Sequence, residues 1–162
     1  MSAHLRSILA AAALIATVLL VPQSIAPAAA SPLNGVVTVK SAYSVDETIA
    51  RIKADVAAKG IMFFDLIDQS GLGTAAGVEG IRPSKLLIFG NPALGTTFIT
   101  ANPEAGLDWP VRVLVFQKAD GSVHVAYNDF DYIARRHGIV SRGPQFRMAT
   151  MVIRSVADAI RD

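Results

Sequence analysis

Hydrophobic positions fall into two periods along the body of the chain. Residues 36–43 (Val-Val-Thr-Val-Lys-Ser-Ala-Tyr) are rich in β-branched types and read as a first strand. Ser44-Val45-Asp46-Glu47 has the form of a capping box, in which Ser44 accepts from the Glu47 amide and the Glu47 carboxylate reaches back. The helix that follows sets Val45, Ile49, Ile52 and Val56 on one face, at spacings of 4, 3 and 4, and Gly60 suits its stop. Residues 61–68 read as strand two, the Gly-rich residues 70–80 as a loop, and 85–89 as strand three. Asn91-Pro92 starts a helix over about 92–101, because Asn caps and Pro at the first helical position loses no needed hydrogen bond.

A polar loop, 102–108, leads through Trp109-Pro110 to strands four (111–118) and five (122–127), joined by the turn Ala119-Asp120-Gly121. Asn128 or Asp129 caps a short helix that runs to His137 and stops at Gly138. The last helix, about 145–161, lines up Phe146, Ala149, Val152, Ile153, Val156, Ala157 and Ile160, with Arg147, Arg154 and Arg161 beside them. The order is β-α-β-β-α-β-β-α-α. Helices interrupt strand pairs instead of alternating with single strands. This predicts an α+β fold: a two-layer sandwich with a mostly antiparallel sheet of about five strands, in one domain over 31–162.

The first thirty residues have a different pattern. Of these, 21 are apolar. His4 and Arg6 form a short positive start, residues 7–21 an uncharged apolar run, and Ala28-Ala29-Ala30 a small-residue cleavage site. Fifteen residues fall short of the roughly 20 that span a bilayer. The expectation is a cleavable signal peptide over 1–30 and an exported product, periplasmic or extracellular, with no stable membrane insertion after cleavage.

Composition then narrows the chemistry. The chain has no Cys, which excludes disulfides, a thiol nucleophile, Cys-ligated metal and a lipidated Cys. Without the first thirty residues, 14 basic residues face 13 acidic ones, so the overall charge is no nucleic-acid footprint. Residues 132–162 carry a net +4 and residues 31–131 a net −3. The arginines of the last helix are not interleaved with aromatics, so base stacking is not supported. They read as a solvated face or as a contact for an anionic surface. Gly71, Gly73 and Gly77 follow a strand but sit in no βαβ unit, so a dinucleotide loop is set aside. Only His124 and His137 remain after residue 30, and their spacing fits no metal motif. No cofactor or metal is expected.

Residues 41–138 resemble the family called domain of unknown function 302. The resemblance is carried by Arg82-Pro83-x-x-Leu86-Leu87-Ile88-Phe89-Gly90-Asn91-Pro92-x-x-Gly95-Thr96, then Asn102-Pro103-Glu104-Ala105-Gly106-Leu107-Asp108. It continues through Val113-Leu114-Val115, Tyr127-Asn128 and His137-Gly138. It implies a compact α+β fold with a curved sheet that self-associates, most simply as a homodimer, and implies no established reaction. The family pattern has Asp-His after strand two where this chain has Asp68-Gln69, so any role of that His is absent here.

Candidate chemistry gathers around three segments. The start of the helix at Asn91–Thr96 offers free amides and a partial positive charge to an anion, with Gly95 allowing close approach. The alternative is a self-capped turn in which Gly95 serves packing. In the loop Asn102–Asp108, Asp108 and Glu104 could work as acid and base or bind a cation, or the loop residues could simply shape turns. Tyr127, Asn128 and His137 close strand five and the next helix. His137 is either a proton carrier or a helix-end residue bonding terminal carbonyls.

The leading expectation is a non-catalytic ligand-binding or accessory domain for a small molecule or anion. Asn91, Thr96, Asn102, Asp108, Asn128 and His137 would supply polar contacts, Phe89, Trp109 and Tyr127 the apolar walls, and Gly95 room. The rival is an acid–base enzyme using Asp108 or Glu104 with His137, which requires those side chains to converge in one pocket. A third reading is a structural or oligomerising domain.

Overall fold

The computed structural model describes residues 32–161. The expected signal segment lies outside them. Strands β1 (Val36–Lys40), β2 (Met62–Asp68), β3 (Ser84–Gly90), β4 (Val111–Gln117) and β5 (Val123–Asn128) form one open sheet in the order β1-β5-β4-β3-β2. Every pairing is antiparallel. Helices α1 (Val45–Ala58), α2 (Gln69–Ala75), α3 (Pro92–Ala101), α4 (Phe130–Arg136) and α5 (Gly143–Asp158) complete the fold, with a 3-10 helix at Pro103–Leu107. This is the expected α+β fold around an antiparallel sheet of five strands.

The period of two along the strands sorts the two sheet faces. Leu87, Phe89, Val113, Val115, Val125 and Tyr127 are buried against the helices. They meet Ile49, Ile52 and Val56 of α1 and Phe146, Ala149, Ile153, Val156 and Ala157 of α5 in one core. Their alternates, such as Leu86, Leu114 and Ala126, are half-buried on the opposite face. A bulge at Phe64 shifts the β2–β3 register between Phe63 and Asp65.

Local chemistry explains where elements depart from the sequence reading. The first strand ends at Lys40, three residues short of Tyr43. Ser41 is buried instead, its Oγ 2.7 Å from Thr48 Oγ1 on α1. The capping box forms by half: Ser44 Oγ accepts from the Glu47 amide at 3.3 Å, while Glu47 turns along the helix to Arg51 at 3.1 Å. The Gly-rich loop holds a helix, α2, which the sequence reading missed. Asp68 caps it by accepting from Gly71 N at 2.8 Å, and Ile81 lies over Gly73 where any Cβ would fall 2.2 Å from Ile81 Cδ1. The expected loop 102–108 is mostly a 3-10 turn, started by Asn102, whose side chain accepts from Glu104 N. Asp129, not Asn128, caps α4. α5 begins at Gly143 and ends at Asp158, so Ile160 and Arg161 lie past it.

Candidate functional site

The residues expected to form one site are divided by the fold between an open groove and a buried polar knot. The groove lies between the end of β3, the start of α3 and the flank of α5. Phe89, Leu94, Phe98, Trp109, Phe130 and Ala149 are among its walls, and its volume is about 260 Å³. That is slightly below the roughly 300–1,000 Å³ of ordinary small-molecule pockets. Lys59 and Asn91 supply polar groups to its lining, and Met148 is an exposed part of it. Trp109, the sole tryptophan of the chain, stacks edge-on against Phe64 at 6.2 Å between ring centres. Its indole also packs on α3 at Gly95, where an added Cβ would lie 1.8 Å from Trp109 Cε2. The close approach at Gly95 is therefore made by Trp109.

The α3 start is occupied by its own cap. Asn91 Oδ1 accepts from the Leu94 amide at 3.1 Å. Thr96 is exposed, and its hydroxyl donates back to the Pro92 carbonyl at 2.9 Å. Tyr127 lies on the core face and is absent from the groove lining; burial pushes its phenol up from the usual range. Of the ten candidate residues, the groove lining takes Phe89, Asn91 and Trp109.

The knot gathers most of the others. Asp108 and His137 side chains are 2% and 3% exposed, with His137 Nε2 2.7 Å from Asp108 Oδ2. Asn128 Nδ2 donates to Asp108 Oδ1 at 3.2 Å. Asn102 Nδ2 donates to the His137 carbonyl at 2.9 Å. Arg112 and Arg136 approach the same carboxylate at 3.5 and 3.4 Å. This arrangement satisfies a buried charge, as a carboxylate removed from water requires. It also joins the start of β4 to the end of α4. The ring of His137 thus bonds Asp108, not the terminal helix carbonyls. Asp108 and His137 converge as acid–base chemistry would need, but the cavity beside Asp108 holds only about 10 Å³, too little for a substrate. Glu104 stays exposed outside this knot.

Sequence reasoning missed the groove's α4 and α5 walls as site residues. Ala149, Val152 and Ile153 read simply as core periodicity, since an amphipathic stripe does not reveal where its packing is incomplete. His124 is half-buried, with Nε2 3.0 Å from Ser122 Oγ and burial holding its imidazole below the usual range.

An α+β fold with an open five-stranded antiparallel sheet, an apolar groove and a buried Asp108–His137 pair defines a class by architecture. The family model of domain of unknown function DUF302 matches residues 37–161, and the chain belongs to that family. It is similar to the uncharacterized conserved protein DUF302 from Bacillus stearothermophilus, whose crystal structure superposes with a TM-score of 0.63 at 17% identity. That match covers 78% of this chain and 95% of the other. The fluoride-specific ion channel FluC 1 of Brucella suis biovar 1 is 38% identical over 106 residues, 65% of this chain and 41% of the relative. FluC 1 of Brucella abortus biovar 1 matches at 38% over 106 residues, 39% of its length. The chain thus spans about two fifths of the curated relatives it matches. No helix among the described residues is long and apolar enough to cross a membrane.

Proposed function

We propose that this protein is an exported, non-catalytic binding domain whose ligand is a small, mostly apolar molecule held in the Phe89–Trp109–Phe130 groove. The observation that carries this reading is an open apolar concavity lined from β3, α3, α4 and α5. Burying apolar ligand surface against such walls is favourable at roughly 25 cal/mol per Å². The polar candidates belong to the scaffold in this reading: Asp108, His137, Asn102 and Asn128 hold the strand and helix ends that frame the groove. Export follows from the apolar run at residues 7–21 and the small residues at 28–30. Self-association as a homodimer is part of the proposal and rests on the family resemblance.

Native mass spectrometry of protein purified from its own compartment tests these points together. The reading expects a mature mass beginning after Ala30, and a small apolar adduct that is lost from a folded Ala149→Phe variant. An adduct retained by that variant, or no adduct in any preparation, would count against it.

A second reading is an extramembranous accessory to an anion channel. The observation favouring it is the likeness to a part of proteins named as fluoride-specific ion channels. It expects co-purification with a membrane-embedded channel of the same cell; loss of that association at moderate detergent would oppose it.

A further inference from the structure

The outer sheet face holds a second hollow, which the groove reading does not use. Val36, Leu86, Leu114 and Ala126 form its apolar part, Arg112 and Asn128 line it as well, and its volume is about 310 Å³. Strand register explains the grouping: Leu114 pairs with Leu86 on one side and Ala126 on the other, while Arg112 pairs with Ile88.

The charge around Arg112 is unbalanced. Asp108 already accepts from Asn128 at 3.2 Å and contacts His137 at 2.7 Å. Two guanidiniums nevertheless face this one carboxylate, and each keeps nearly half its surface open, 46% for Arg112 and 47% for Arg136. The contacts of Arg112, to the Leu107 carbonyl and to Asp108, are both made by Nη2. Its Nε and Nη1 therefore have no protein acceptor among the described residues. A guanidinium offers five donors in a planar fork that matches a carboxylate. Here unused donors stand at the edge of an apolar floor.

We infer that this hollow binds an amphipathic monoanion, a carboxylate with a short aliphatic tail. The head accepts from Arg112, and the tail lies on Leu86, Leu114 and Ala126. Arg136 adds positive potential from the other side of Asp108 without touching the ligand.

Titration of the purified protein with octanoate, followed in ¹H–¹⁵N spectra, tests the site. The Arg112 Nε–H signal and the Leu114 and Ala126 amides should shift together and saturate. Acetate, which lacks the tail, and 1-octanol, which lacks the charge, should each bind this face at least tenfold more weakly. Arg112→Gln should raise the octanoate Kd at least tenfold, and Arg136→Gln less than threefold. Should Arg112→Gln fail to fold, Leu114→Glu places a like charge on the floor and should abolish binding. Equal octanoate affinity in wild type and the folded variants would overturn the proposal, as would shifts confined to the Trp109 groove. It would also fail if the same amides moved on dilution alone, since a second copy would then cover the face.

Discussion

Asp108 shows most plainly what one residue contributes. Its carboxylate is the shared partner of His137, Asn128, Arg112 and Arg136. Removing one member of a buried charged cluster strands the rest, at a typical cost of 3–5 kcal/mol. The half-exposed arginines recover some hydration, so Asp108→Ala should lose about 3 kcal/mol of unfolding free energy in urea; a loss below about 1 kcal/mol would show the knot contributes little. Gly95 is a second such position. Gly95→Ala sets a methyl inside the Trp109 ring, and overpacking of this kind costs about 1–3 kcal/mol, against about 1 kcal/mol gained in helix propensity. A lower Tm together with a red-shifted Trp109 emission is expected. Asp68 responds to pH: the Gly71 amide first, then the Ser70 hydroxyl, hold its carboxyl below the ordinary 3.8. Its support for α2 is complete above that value and is lost as pH falls through the lower folded value. The Gly71 amide shift should therefore inflect below pH 3.8 and lose that inflection in Asp68→Asn.

Among the elements, local signals decided how much could be read from the chain. β3, β4 and β5 were legible because β-branched and apolar runs end at Gly or at a turn; Gly121 takes φ +81° in the β4–β5 connection. α1 was legible from its cap and its 4-3-4 apolar spacing. Ser44→Ala should cost about 1 kcal/mol, measured as a shift in the urea midpoint at constant m. α2 was hidden because Gly71 and Gly73 weigh against a helix. It is held instead by tertiary ties: Ser70 Oγ accepts from Ser84 N at 3.2 Å, and Ile81 covers Gly73. The knot was hidden for another reason. Asp108 and His137 lie 29 residues apart, with β4, β5 and α4 between them, and no local pattern records a pairing made by the whole topology.

At the scale of the molecule, the sheet separates two kinds of surface. One face is covered by α1 and α5 except at the groove, where Leu94, Phe130 and Ala149 leave space beside Trp109. The other face presents half-buried aliphatic side chains with Arg112 among them. The sequence located Phe89, Asn91 and Trp109 near one another because they flank the β3–α3 and 3-10–β4 junctions. It did not distinguish groups that face a cavity from groups that hold the frame, because Asn, Asp and His serve both roles. The proposed apolar ligand would lie against Trp109 in the groove, so the indole reports on its binding. Titration with 1-octanol should shift Trp109 emission to the blue, saturably, and the folded Ala149→Phe variant should show no shift. An emission unchanged by the alcohol, or an equal response in the filled variant, would contradict the account.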